Sequence, residues 1–419
     1  MNESVTTEVM PVVWLKSLTL LLGCLFISVS ALADRSPREV SEAEAWELHS
    51  QILTIDTHVD IGEGFATAQL DPGGFTNAQV DLPKMRAGGL DAAFFIVYVG
   101  QGALDSEGFE AAHARAEHMY QSIKRMVRAY PNQIGLARTA DEVETIHESG
   151  RLVALLGMEN GYPLGESVND VPKWAERGLR YVGLTHFGHN QFGGSSNPLP
   201  NLGDSDEDPG LTELGRELIA ALNDHGILVD VSHVGRRSML EAVELSRLPV
   251  IASHSSAMGV HENLRNLDDE QLKAIRDNNG VAQMVAFRSY VADLYPAVES
   301  GQAELRERYL PDGWGEASRE DRASYVRELG ALRRRYPDVT LEQFVDHIDY
   351  AVDLIGIDHV GISSDFDGGG GVEGWDDATE TVNVTRELMR RGYSQEEIRA
   401  LWGGNVLRVL RANESGRRH

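Results

Sequence analysis

Acids and histidines stand at the ends of apolar runs throughout this sequence. They are His58 and Asp60 in TIDTHVD, Glu159 in LLGMENG, His186 in VGLTHFGHN, His233 in LVDVSHV, His254 in VIASHSS and Asp365 in VGISSDFDG. Imidazole nitrogens and carboxylate oxygens are the donors that zinc and similar divalent ions accept. Five such side chains suffice to hold two ions around one shared carboxylate. Glu159 suits the shared position, because a carboxylate offers one oxygen to each ion and offsets their mutual repulsion. A buried glutamate is costly unless paired or metal-bound, which points the same way. The chemistry to expect is metal-dependent hydrolysis, with the ions lowering the pKa of water toward neutrality.

Taken singly, an H-x-D triplet or a histidine at a strand end is more often an ordinary polar group; recurrence gives the pattern its weight. His58 and Asp60 are two apart, so on a strand they share a face, and Asp56 shares it one step earlier as a supporting partner. His233 and His254 follow consecutive apolar runs in similar Ser-His contexts, which makes them neighbours at one end of a barrel. His186 and His189 follow the same run, and nothing local decides between them. The glycines after Asp367 could cradle a phosphate, but no Lys or Arg accompanies them, and Asp365 and Asp367 would repel it.

These residues need elements to position them. Eight β-rich runs, at 52–60, 92–99, 152–159, 181–186, 227–233, 249–254, 281–287 and 359–365, alternate with helical patterns such as 110–130, 212–225 and 341–355. Most runs are nearly continuous Val, Ile, Leu and Ala, as strands buried on both faces should be. Eight parallel strands with crossover helices close into a TIM-like (β/α)8 barrel, which keeps its chemistry at the strand C-termini. Residues 301–340 depart from the alternation as a charged helical excursion, read as solvated, with a lid or subunit contact as the alternative. Glu307 with Arg308, and Arg333 to Arg335, are expected there as surface charges, and Phe287, Arg288 and Tyr290 as residues shaping the pocket.

Residues 1–33 read as a targeting segment, with Lys16 before an apolar stretch over 18–32 and Ala31-Leu32-Ala33 at the expected cleavage point. The stretch is short for a membrane-spanning helix, which needs about 20 residues. Export to the periplasm or outside a bacterium is expected, with membrane contact only if the leader is uncleaved or Cys24 is lipidated. Cys24 is the only cysteine, so the mature region, 34–419, has neither disulfides nor thiolate ligands. The formal charge of −27, from 38 bases and 65 acids, repels phosphate backbones and argues against nucleic acid as a partner.

Together these motifs resemble the renal, or membrane, dipeptidase family of binuclear zinc peptidases. The likeness runs from about residue 45 to 410 through THVD, GMENG, LTHFGHN, DVSHV, SHSSA, Asn263-Leu264-Arg265-Asn266, SSDFDG and Trp402-Gly403-Gly404-Asn405. It implies hydrolysis of dipeptides, L,D as well as L,L. Carried over by position, His58, Asp60 and Glu159 would bind one Zn2+, and Glu159, His233 and His254 the other, with Mn2+ or Co2+ as substitutes. His186 would contact the substrate carbonyl, Arg265 the substrate carboxylate and Asp365 the bridging water. A homodimer is the expected assembly. Other amidohydrolase-like barrels, acting on cyclic amides, lactones or phosphotriesters, typically carry H-x-H on the first strand, where Asp60 stands here. A periplasmic binding protein that had lost catalysis would be expected to lack ligands or the proton-transfer acid.

Overall fold

A computed structural model of the chain describes residues 37–62, 64–311 and 317–418, besides Met1. The chain parts into two units, Met1–Arg35 and Ser36–His419, and the second carries the barrel. The expected leader, Cys24 included, lies outside the described residues. Among the described residues no helix is long and apolar enough to cross a membrane.

The strands are β1 (Ile55–Val59), β2 (Ala92–Tyr98), β3 (Ile134–Leu136), β4 (Leu152–Glu159), β5 (Leu179–Gly183), β6 (Leu228–Asp230), β7 (Ile251–Ser255), β8 (Val281–Val285) and β9 (Val360–Ser363). Each of the eight expected runs overlaps a strand, although β5 begins two residues before its run and β7 ends one residue after its own. They pair in parallel in the order β1-β2-β4-β5-β6-β7-β8-β9. The ring nearly closes through a single parallel bridge, Val59 to Phe366, where the Asp60 N–H donates to Phe366 O at 2.9 Å. β3 was not expected; it lies off the ring and pairs only with β4. Three residues before a helix carry too little pattern to be read as a strand.

The strands are buried on both faces, which explains their unbroken apolar composition. One set of side chains, including Ile55, Phe94, Ile96, Val153, Leu155, Tyr181, Leu228, Ile251 and Val281, packs with Val406, Leu407 and Leu410 of the last helix, Asn405–Gly416. The opposite set, including Val59, Phe95, Val97, Leu156 and Val229, packs with the surrounding helices. Those helices start where side-chain oxygens can accept their free N–H groups: Asp105 caps Ser106–Ala129 and Thr212 caps Glu213–Asp224. Asp268 and Thr340 form reciprocal capping boxes before Asp269–Asp277 and Leu341–Ile355.

The excursion is two helices, Pro296–Tyr309 and Arg319–Arg333, packed on a small core of Leu305, Tyr325 and Leu329. It is not wholly solvated surface. Arg334 and Arg335 are exposed, but Arg333 is half-buried and its Nε is enclosed without a hydrogen-bond partner.

Candidate metal centre

The five expected ligands reach the same end of the barrel from four strands, β1, β4, β6 and β7, or the turns that follow them. His58 is the penultimate residue of β1 and Asp60 follows the strand, while Glu159 closes β4 opposite Tyr98 of β2. His254 lies in β7, and His233 stands three residues past β6 rather than on it. Three residues at these strand ends take left-handed backbone conformations: Asn160 (φ 71°), His233 (φ 66°) and Asp365 (φ 57°). Such a conformation costs of order 1 kcal/mol and turns the chain sharply, bringing a side chain to the strand ends that a continued strand would send elsewhere.

Glu159 is the hub, only 5% exposed. Its Oε1 lies 3.0 Å from His233 Nε2, 3.3 Å from His254 Nε2 and 3.7 Å from His186 Nε2. Its Oε2 faces His58 Nε2 at 3.6 Å, and Asp60 Oδ2 is 3.5 Å from the same nitrogen. Three sets of donor atoms each fall within 4.8 Å of one another: His58, Glu159 and His254; Glu159, His186 and His233; and His58, Asp60 and Asp365. These sets cut across the two ligand groups that the resemblance implies, because His186 and Asp365 stand as near the centre as the ligands do.

The hydrogen bonds behind the histidines fix which nitrogens face inward. Tyr181 donates its hydroxyl to Thr57 O at 3.0 Å, so it accepts the proton of His58 Nδ1 at 3.0 Å. Ser253 donates to Asp230 Oδ2 at 2.7 Å and accepts from His254 Nδ1 at 2.8 Å. Asp230 is itself held by the N–H groups of Ser232 and Ser253. Both rings therefore present a bare Nε2 to the centre. That of His58 is buried without a partner, and that of His254 lies 2.8 Å from His233 Nε2. Lone pairs and carboxylate oxygens converging at these distances repel one another unless a cation lies among them, and this donor set fits a divalent metal. Ser253→Ala removes the group that orients His254. Metal affinity, measured by competition with a chelating indicator, should fall about 10- to 100-fold while the fold persists.

The electrostatics agree. Burial pushes His233 and His254 well below their usual range and His186 down to about 4, so all three rings are neutral. Burial works against a charged His58, yet Glu159 and Asp60 outweigh it and hold its proton affinity well above normal. A field that draws a proton this strongly draws a metal cation for the same reason. Burial, reinforced by Asp60 and Glu159, pushes Asp365 well above the usual carboxylate range. Gly368 makes room for this cluster: a Cβ built there would collide with both Asp60 Oδ2 and Asp365 Oδ1.

The remaining residues separate clearly. His189 accepts from Ser195 N at 3.0 Å and contacts Ser205 O at 3.0 Å, so it braces its own loop, while His186 faces the centre. Asp56 supports as expected, its Oδ1 accepting the N–H groups of His58 and Ser364. Asp367 accepts from the N–H groups of Gln79 and Val80 and tethers a neighbouring loop. Arg265 is buried, donates to His254 O at 2.9 Å and keeps its Nε without a partner. Of the three residues expected to shape the pocket, Tyr290 lies against the Arg265 guanidinium and Phe287 stacks on Tyr290. Arg288 is otherwise engaged, with Asp338, Asp376 and Gly371 O. Sequence reading missed Tyr181, Asp230 and Ser253 as supporting residues. A buried acid immediately before Val231-Ser232-His233 was the available signal for Asp230; Tyr181 carried none.

Over residues 42–419 the sequence matches the family described as membrane dipeptidase (peptidase family M19). Dipeptidase tcpJ of Claviceps purpurea is 30% identical over 343 residues, spanning 80% of this chain and 69% of that protein. The crystal structure of the probable dipeptidase PvdM from Pseudomonas aeruginosa is similar at TM-score 0.80 and 33% identity, covering 90% of this chain and 98% of that one. A metallopeptidase from Rhodobacter sphaeroides, solved with a phosphinate mimic of the dipeptide L-Ala-D-Ala, is similar at TM-score 0.68 and 25% identity, covering 86% and 99%.

Proposed function

The chain belongs to the membrane dipeptidase family, peptidase family M19, and from that premise we propose that it hydrolyses dipeptides, L,D as well as L,L, with two zinc ions shared by Glu159. The observation that carries this reading is the division of Glu159, one oxygen toward His58 and the other toward His233 and His254. His58, Asp60 and Glu159 would hold one ion, and Glu159, His233 and His254 the other; Mn2+ or Co2+ would suit the same donors. When bound, the pair supplies a hydroxide at neutral pH and polarises the scissile carbonyl.

The chain's own residues do the rest. His186, neutral and beside Glu159, donates a hydrogen bond to the carbonyl oxygen as negative charge develops there. Asp365, with its raised proton affinity, takes the proton of the attacking water and hands it to the departing amine. Arg265 has a buried Nε–H still to satisfy, which leaves one edge of its planar fork for the terminal carboxylate of a dipeptide. A longer peptide has no carboxylate at that position. For location, the apolar 18–32 segment closed by Ala31-Leu32-Ala33 supports export.

The test is metal analysis of the purified protein together with turnover of L,L and L,D dipeptides and matched tripeptides, with and without chelator. Two metal equivalents per chain and chelator-sensitive cleavage confined to dipeptides are expected. Fewer than two ions, or hydrolysis indifferent to chelator, defeats the reading.

A further inference from the structure

Two loops at the strand ends carry Arg265 and its aromatic neighbour, and a buried histidine from a third element joins them. The loop after β7 closes on itself, Ala257 bridging to Leu267 and the Met258 N–H donating to Leu267 O at 2.8 Å, and it presents Arg265 two residues before that closure. The loop after β8 sets Tyr290 against Arg265, with 5.2 Å from the guanidinium carbon to the ring centre. His347, on the helix Leu341–Ile355, is 0% exposed and lies between them. Its Nδ1 accepts the Ala257 N–H at 3.0 Å, and its Nε2 lies 2.9 Å from Val291 O, the residue after Tyr290. An N–H pointed at Nδ1 fixes the proton on Nε2, so the ring accepts from one loop and donates to the other. Asn263 Nδ2 donating to Ser289 O at 2.8 Å and Asn266 Nδ2 donating to Tyr290 O at 2.7 Å complete the lacing.

We propose that His347 is a positioning residue for substrate recognition, locking the Arg265 loop to the Tyr290 loop so that the guanidinium stands where the dipeptide carboxylate arrives. This inference rests on the reading of Arg265 given above. The ring suits the role because its two nitrogens bond in diverging directions at a fixed separation, and being planar and fully enclosed it leaves the loops little freedom to slide. The hydrogen bonds of His347 go to backbone groups of Ala257 and Val291, so its loss should weaken binding of the carboxylate rather than the chemical step.

The experiment compares L-Ala-L-Ala with L-alanyl-L-alaninamide, which lacks the terminal charge, in zinc-loaded wild type, His347→Leu and His347→Gln. In His347→Leu the KM for L-Ala-L-Ala should rise about tenfold with kcat within about twofold, while the KM for the amide stays put. His347→Gln, which can keep one of the two bonds, should fall between. Bound zinc should be unchanged in both. An unaltered ratio of the two KM values in folded His347→Leu overturns the proposal, and His347→Gln carries that decision should the leucine variant not fold. A wild-type enzyme that does not distinguish acid from amide overturns the Arg265 reading instead.

Discussion

Glu159→Gln should cost about 1,000-fold or more in kcat/KM, roughly 4 kcal/mol of transition-state stabilisation, and leave one zinc ion or none per chain. Glutamine keeps the shape of the side chain, so the barrel should remain folded by circular dichroism. What it loses is charge and symmetry. Only one oxygen of an amide is a good ligand, whereas both Glu159 oxygens face nitrogen donors here, His58 on one side and His233 with His254 on the other. The remaining carboxylates, Asp60 and Asp365, lie on the His58 side. The set facing His233 would therefore be left with neutral donors only, and its ion should be the first to go. Elemental analysis beside steady-state kinetics decides the matter. Two retained ions with activity within tenfold of wild type would show that Glu159 is not shared.

Asp365→Asn separates two roles that distance alone does not. Asp365 falls within ligand range of His58 and Asp60, yet its proposed task is proton transfer. If it moves protons, the asparagine variant should keep both zinc ions and its KM while kcat drops about 100- to 10,000-fold. If it is a ligand, metal content falls along with kcat. The substitution is conservative in volume, which matters because Gly368 is packed directly against this carboxylate and that of Asp60. Bound zinc is thus the deciding measurement, and a stoichiometry below two would remove Asp365 from the proton pathway.

The sequence showed most of the barrel because strands buried on both faces must be apolar without interruption, and such runs stand out between amphipathic helices. β3 escaped because a three-residue strand on the outside of the ring has neither length nor alternation. The residues that converge on Glu159 were legible for a related reason: a charged or imidazole side chain ending an apolar run is expensive to bury and so is conspicuous. The supporting residues were harder. Tyr181 sits inside β5, where an aromatic side chain reads as ordinary core, and only the three-dimensional packing brings its hydroxyl to His58. His347 is one polar residue on an amphipathic helix 90 positions from Ala257, and no local pattern foretells that contact. The left-handed turns at Asn160, His233 and Asp365 were equally hidden, since these residue types also occur in ordinary loops.

The ring of strands closes between β1 and β9 by one bridge, Val59 to Phe366. His58 and Asp60 stand on one side of that join and Asp365 on the other. A cation held by these side chains, as proposed above, would work as a clasp across a join that a single backbone bridge makes, as well as a reagent. By linkage, any ligand that binds only the closed form adds to its stability as concentration exceeds the dissociation constant. On the proposed metal site, metal supply would set how long the molecule survives as well as how fast it turns over. If the proposed metal site is right, metal shortage would cost the molecule twice, once as idle catalyst and again as a barrel more readily opened along its seam.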